Sequence, residues 1–112
     1  MTALTLRPNG QTTLLTLTTS ASSVVTITPL GNVQNNYLAV WNTGGGKAAI
    51  EFSNTSTVAT PAIATSGNAG SFVLPPNMPT PLVIAAPQGV CYVKAIGDAT
   101  GSTLLITPVL LA

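Results

Sequence analysis

The chain has 112 residues, of which only 4% are charged, and its formal net charge is +1. Soluble domains carry about 25% charged residues, so Thr, Ser, Asn and Gln must supply most of the polar surface here. A length of this order holds one domain around one core. Arg7, Lys47 and Lys94 are too few to form a basic track for nucleic acid or a polybasic patch for anionic lipid.

Leu4 to Arg7 reads as a short extended stretch, closed by the turn sequence Pro8-Asn9-Gly10. Residues 1–10 are therefore expected to form an N-terminal arm, and residues 11–112 a single β-sandwich domain. Thr12 to Thr18 is the first firm strand, with Leu15 and Leu17 on one face. Ser23 to Thr28 follows, with Val25 and Ile27 together, and stops at Pro29. Tyr37 to Asn42 is apolar on both faces, as a central strand would be. Lys47 to Phe52 alternates, with Ala48, Ile50 and Phe52 inward and Lys47, Ala49 and Glu51 outward. The intervening Asn42-Thr43-Gly44-Gly45-Gly46 reads as a hairpin turn tolerant of positive φ.

Residues 53–70 are rich in Ser, Thr, Ala, Asn and Gly and read as a surface loop, with one irregular edge strand around Val58. Ser71 to Leu74 and Leu82 to Ala85 flank a Pro-rich connection. Val90 to Ile96 and Thr103 to Val109 read as a hairpin around Gly97-Asp98-Ala99-Thr100-Gly101. No window carries a helical stripe with charges opposite it. The expectation is an all-β fold with essentially no helix: about eight short strands in two packed sheets, wired as a sandwich or jelly roll.

Chemistry-bearing residues are sparse. The chain has no histidine, which removes the usual general base near neutral pH and the commonest metal ligand. Glu51 and Asp98 are the only carboxylate side chains, and Asp98 in Gly97-Asp98-Ala99 reads as a turn stabiliser. Gly44-Gly45-Gly46-Lys47 lacks the spacing of a phosphate loop, with Ala48 where a hydroxyl residue belongs. Cys91, flanked by Val90 and Tyr92, reads as a buried, inert thiol. Trp41, Tyr37 and Tyr92 could stack on a sugar, but so few aromatics are better accounted for by core or interface packing. No catalytic residue, metal ligand or cofactor is expected.

The stretch begins without a basic segment leading into an apolar one, and one cysteine cannot form an internal disulfide. Both point to synthesis in a reducing cytoplasm. No apolar run approaches the ~20 residues of a spanning helix. With 46% hydrophobic residues in so small a chain, some apolar surface is expected to be covered by other subunits. Two features are candidates for those contacts: Leu4, Leu6 and Arg7 in the arm, and Leu110 and Leu111 near the other end. The arm could add a strand to a neighbour's sheet edge. Equally, both ends could be edge strands of the chain's own core.

The runs Leu38-Ala39-Val40-Trp41-Asn42-Thr43-Gly44, Ala48-Ala49-Ile50-Glu51-Phe52-Ser53 and Phe72-Val73-Leu74-Pro75-Pro76 are followed by Pro87-Gln88-Gly89-Val90-Cys91-Tyr92-Val93-Lys94-Ala95-Ile96 and Gly101-Ser102-Thr103-Leu104-Leu105-Ile106-Thr107-Pro108. This succession resembles the small β-sandwich head decoration, or capsid cement, proteins of tailed bacteriophages. The ending Val109-Leu110-Leu111-Ala112 departs from that pattern, which often continues into Gly or Glu. The resemblance implies a structural protein on the outer capsid surface of the virion, made in the host cytoplasm. It also implies that the chain binds the phage major capsid protein and forms a trimer or dimer. The competing reading is a carbohydrate-binding or adhesin module of a head or tail fibre, which would need Trp41 to face outward.

Overall fold

A computed structural model of the chain describes residues 6–30, 37–86 and 89–111, with the backbone alone at Leu111. Nine strands are present among them: β1 (Leu6–Pro8), β2 (Thr13–Leu17), β3 (Val25–Ile27), β4 (Tyr37–Asn42), β5 (Ala48–Ser53), β6 (Phe72–Leu74), β7 (Leu82–Ala85), β8 (Cys91–Gly97) and β9 (Ser102–Leu111). The described residues contain no helix. The fold is all-β.

The strands form two antiparallel sheets. The first runs β1-β9-β4-β7, with β2 also paired to β9; the second runs β3-β8-β5-β6. The long β9 carries both β1 and β2 end to end along one side, through Val109–Leu111 and Ser102–Ile106 respectively. Its other side pairs with β4 from Leu104 to Val109. Pairing is nested: β5 with β6, β4 with β7, β3 with β8 and β2 with β9. A long hairpin rolled up so that β4 meets β9 and β5 meets β8 gives this order, which is the wiring of a jelly roll.

Alternation builds the core between the sheets. In β4 every second residue, Leu38, Val40 and Asn42, is buried. In β8 the inward set is Cys91, Val93, Ala95 and Gly97. Of these, Leu38, Val40, Cys91, Val93 and Ala95 join Leu17, Ile27, Ala48, Ile50, Leu74, Leu104 and Ile106 in one apolar cluster. Leu is the commonest residue of these strands, and the Thr, Val and Ile among them suit the extended backbone through their branching at Cβ.

Two turns differ from the sequence reading. The residue 42–46 segment joins β4 to β5, and residues 97–101 join β8 to β9, but in both cases the two strands lie in different sheets. Neither is a hairpin; both cross from one sheet to the other. The error has a physical cause: a short glycine-containing connection serves a tight hairpin and a corner between sheets equally well. Nor are Gly44, Gly45 and Gly46 at positive φ. Gly44 is needed because a Cβ there would lie 2.5 Å from Ser102 Cα. At Gly46 a Cβ would collide with the Asp98 carboxylate and the Gly101 carbonyl.

The two connections are stitched together at one end of the sandwich. Thr43 N–H donates to Thr103 O (2.9 Å) and Gly97 N–H to Thr18 O (2.7 Å). The Asp98 carboxylate accepts from Lys47 N–H (2.9 Å) and Thr100 N–H (3.0 Å). Asp98 thus does stabilise its turn, and it also ties that turn to the end of the β4–β5 connection, just before β5.

The 53–70 segment is more ordered than its composition implies. Val58 and Pro61 are buried. Ala62 and Ser71 exchange hydrogen bonds, and Thr65 bridges Asn68 around Gly67, whose φ is 83°. Ala49, assigned to the outer face by alternation, is nonetheless fully buried.

Candidate interaction surface

The outer face of the β1/β2-β9-β4-β7 sheet follows from pairing, since directly opposed residues share a face. Trp41 stands opposite Leu105, and Leu105 opposite Leu14 on its other side. Ala39 stands opposite Thr107 and Val83, and Tyr37 opposite Val109 and Ala85. Pro8 and Leu6 extend the set across β9. No charged side chain falls in this phase of alternation among the described residues. Leu14 is 59% exposed.

Trp41 lies in a central strand and still faces outward, because a sheet has two faces and β4 gives its inner one to Leu38 and Val40. The indole is half-buried and its Nε1–H donates to Met78 O at 2.8 Å. That bond fixes the ring over the chain leading to β7. Tyr37, two residues beyond Ala39 on the same face, is also half-buried.

The other sheet is different in character. Its outer face carries Glu51 directly opposite Lys94, Ser53 opposite Tyr92, and Thr26 beyond it. Lys47 and Asp98 lie in the connections at one end. The few charges are thus kept off the apolar outer face of the first sheet.

Of the residues singled out at the chain ends, Leu4 lies outside the described residues. Leu6 pairs with Leu111 and Arg7 with Leu110. The two ends, named separately from sequence, are neighbours in one corner of one sheet. Leu6 and Leu110 are half-buried and Arg7 is exposed. Described residues of the arm are therefore a strand of the chain's own sheet. Leu14 and Leu105 went unnoticed in the sequence. Their signal was present: in Leu14-Leu15 and Leu104-Leu105-Ile106 both phases of alternation are apolar.

At the opposite corner of β1 the chain kinks. Asn9 N–H donates to Pro108 O (2.7 Å) and Asn9 O accepts from Leu30 N–H (2.8 Å). Its Nδ2 is buried without a partner among the described residues. Beside this kink an open hollow of about 330 Å³ is lined by Gly10, Gln11, Thr13, Thr26, Thr28 and Leu30. It holds no titratable side chain.

Reactive chemistry is scarce. Burial pushes the Cys91 thiol from its ordinary 9.0 to about 11, against a smaller lowering by a hydrogen bond from the Ser53 backbone. A thiol so held is a poor nucleophile. The Asp98 carboxyl is held below its ordinary value, first by the Lys47 backbone N–H. Among the described residues no three His, Cys, Asp or Glu side chains gather as metal ligands would. No described helix is long and apolar enough to cross a membrane. The chain matches no protein-family model, no curated protein and no solved structure.

Proposed function

We propose that the chain is a non-enzymatic structural protein of a phage particle, a decoration protein that binds the major capsid protein on the outside of the head and stabilises the shell. The observation that carries this reading is the uncharged outer face on which Leu14, Leu105 and Trp41 form one apolar row across three strands. Apolar surface of this kind stabilises an assembly when another subunit removes it from water, at about 25 cal/mol per Å². The strands that carry the motif resemblance, β4, β5, β6, β8 and β9, include both centres of the sandwich. Leu6, in the same outward phase as Val109 and Leu105, would flank the same contact, whereas Leu110 lies in the opposite phase of β9; a dimer or trimer would repeat the contact with the symmetry of the shell.

The test is co-sedimentation with shells that lack decoration, scored for saturation at a fixed ratio per capsid subunit. Trp41 is the sole tryptophan, so its emission reports directly on the proposed face. Docking is expected to shift that emission to shorter wavelength, and Leu105→Lys to abolish both sedimentation and shift. Sedimentation with no change at Trp41 would move the contact to another face; no saturable sedimentation would end the reading.

One observation favours a second reading, a carbohydrate-binding or adhesin module of a head or tail fibre. Tyr37 and Trp41 lie on the same outward face of β4 with only Ala39 between them, as an aromatic shelf for a sugar would. The Trp41 N–H, however, is already committed to Met78 O, which removes the polar handle of that shelf. Quenching or shifting of Trp41 emission by glycans, without shell binding, would favour this alternative.

A further inference from the structure

A sandwich of two open sheets has four edges, and three of the four here are blunted. β3 has three residues and is followed after Thr28 by Pro29. β6 has three residues and runs into Pro75-Pro76. β7 has four and is preceded by Pro79 and Pro81. Short strands and prolines are the devices by which edges avoid pairing with other chains, because proline lacks the N–H that a new ladder needs. β2 has none of them. It is five residues of Thr-Leu-Leu-Thr-Leu with no proline. It pairs with β9 on one side and, among the described residues, with no strand on the other. Its outward side chains Leu14 and Thr16 are exposed. Leu30, beyond the end of β3 and beside Gly10 and Thr13, is exposed as well, so two of the five exposed large apolar side chains among the described residues lie in or near β2.

We infer that β2 is the edge through which two copies of this chain pair, antiparallel about a twofold axis, so that their five-stranded sheets become one. A second copy is the occupant because the edge is self-complementary. No charged residue occurs between Arg7 and Lys47, so the twofold brings no like charges together, and the edge offers no charge by which a different chain would be selected. Isologous pairing of one patch with itself is the commonest route to a closed assembly. The twofold also preserves the faces. Thr13, Leu15 and Leu17 of both copies stay toward the cores, and the outer apolar faces merge into one surface twice as wide. The inference deepens the structural reading above by naming the partner of this edge, but it is tested without shells. The contact is a strand edge with a few flanking side chains. It falls below the ~800 Å² per partner of a standard interface, so the dimer is expected to form with a concentration dependence in the micromolar range.

The experiment is sedimentation velocity of the purified chain across a concentration series, with hydrogen exchange at β2 amides read at both ends of it. The expected result is a monomer–dimer equilibrium, with β2 amides protected only in the dimer. Leu14→Lys and Thr16→Lys replace exposed side chains and keep the monomer folded; each is expected to weaken the dimer about tenfold or more by placing like charges across the twofold. Phe72→Lys, on the far side of the sandwich, is expected to leave it unchanged. A wild-type chain that stays monomeric at millimolar concentration overturns the inference. So does a dimer that survives both β2 substitutions, or one broken by Phe72→Lys alone. Because β2 exchange is measured on the unaltered chain, the test stands even if a substituted chain misfolds. Dimerisation without shell binding would leave the inference standing and remove the capsid reading; shell binding by a monomer would do the reverse.

Discussion

Asn42 shows how one buried polar side chain can hold a corner of this fold. It is fully buried at the inner end of β4. Its Nδ2 donates to Gly46 O (2.8 Å) and Pro75 O (3.1 Å), and its Oδ1 accepts from Gly44 N–H (3.1 Å). It thereby fastens the β4–β5 crossover and the end of β6 to the same point. Asn42→Ala would leave the buried Gly46 carbonyl unpaired, at a cost of about 1–3 kcal/mol, and would also remove the two part-buried bonds to Pro75 and Gly44. A loss of about 3 kcal/mol in denaturant unfolding is the expected outcome. The glycines beside it give a sharper contrast. Gly44→Ala forces a Cβ against the Ser102 backbone and should lower the melting temperature clearly. Gly45→Ala meets only Thr100 Cγ2 at 3.8 Å and should be tolerated.

Cys91 and Asp98 each make stability depend on pH, with opposite signs. The Cys91 thiol is harder to ionise folded than unfolded, so the unfolded chain binds fewer protons as pH rises from about 9 to about 11. Stability from this group is fully present below that window and falls through it. Cys91→Ala should lose that alkaline slope while starting from a lower stability. Asp98 has the opposite sign. Its folded pKa lies below the ordinary 3.8, so its contribution is present above that value and fades as pH falls below it. Asp98→Ala should flatten the acid limb of the same melting-versus-pH curve, because the Lys47 and Thr100 N–H groups lose their acceptor.

Among the elements, β9 is the one on which the first sheet depends. It touches β1, β2 and β4, and its Leu104 and Ile106 are fully buried. Ile106→Ala should cost about 2–5 kcal/mol through lost burial and the cavity left behind. β1 contributes less. Deleting residues 1–8 removes the partner of Val109–Leu111, but Val109 keeps its pairing with Tyr37. The expected effect on thermal melting is smaller than that of Ile106→Ala. If the arm also contacts the shell, the same deletion should abolish co-sedimentation; full shell binding by the shortened chain would show that Leu6 and Arg7 serve only their own sheet.

For the whole molecule, the asymmetry between the two outer faces matters most. One sheet carries the Glu51 and Lys94 pair, while the other carries none of the charges in its outward phase. A chain with 4% charged residues has little electrostatic steering to offer. Binding through the apolar face should therefore be nearly insensitive to salt between low and physiological ionic strength. A steep loss of shell binding with salt would point instead to Arg7, Lys47 or Lys94.

Strand identity was readable from the residues themselves. Leu15 with Leu17, Val25 with Ile27, and Ala48 with Ile50 share inward faces because a period of two in apolar side chains admits no other half-buried arrangement. Pro29, Pro75-Pro76 and Pro81 marked strand limits because a missing N–H and a fixed φ are local facts. Asp98 as a turn residue was legible for the same reason. What the sequence could not carry was which strands lie side by side. The crossovers after Asn42 and Gly97 look like hairpins until the packing of Gly44 on Ser102 shows that they turn from one sheet to the other. The meeting of Leu6 with Leu111, the outward placement of Trp41 and the bare edge of β2 are likewise products of pairing between distant segments. Alternation determines that a strand has two faces; only the tertiary structure decides which face meets the core, because that choice is made by residues far away in the chain.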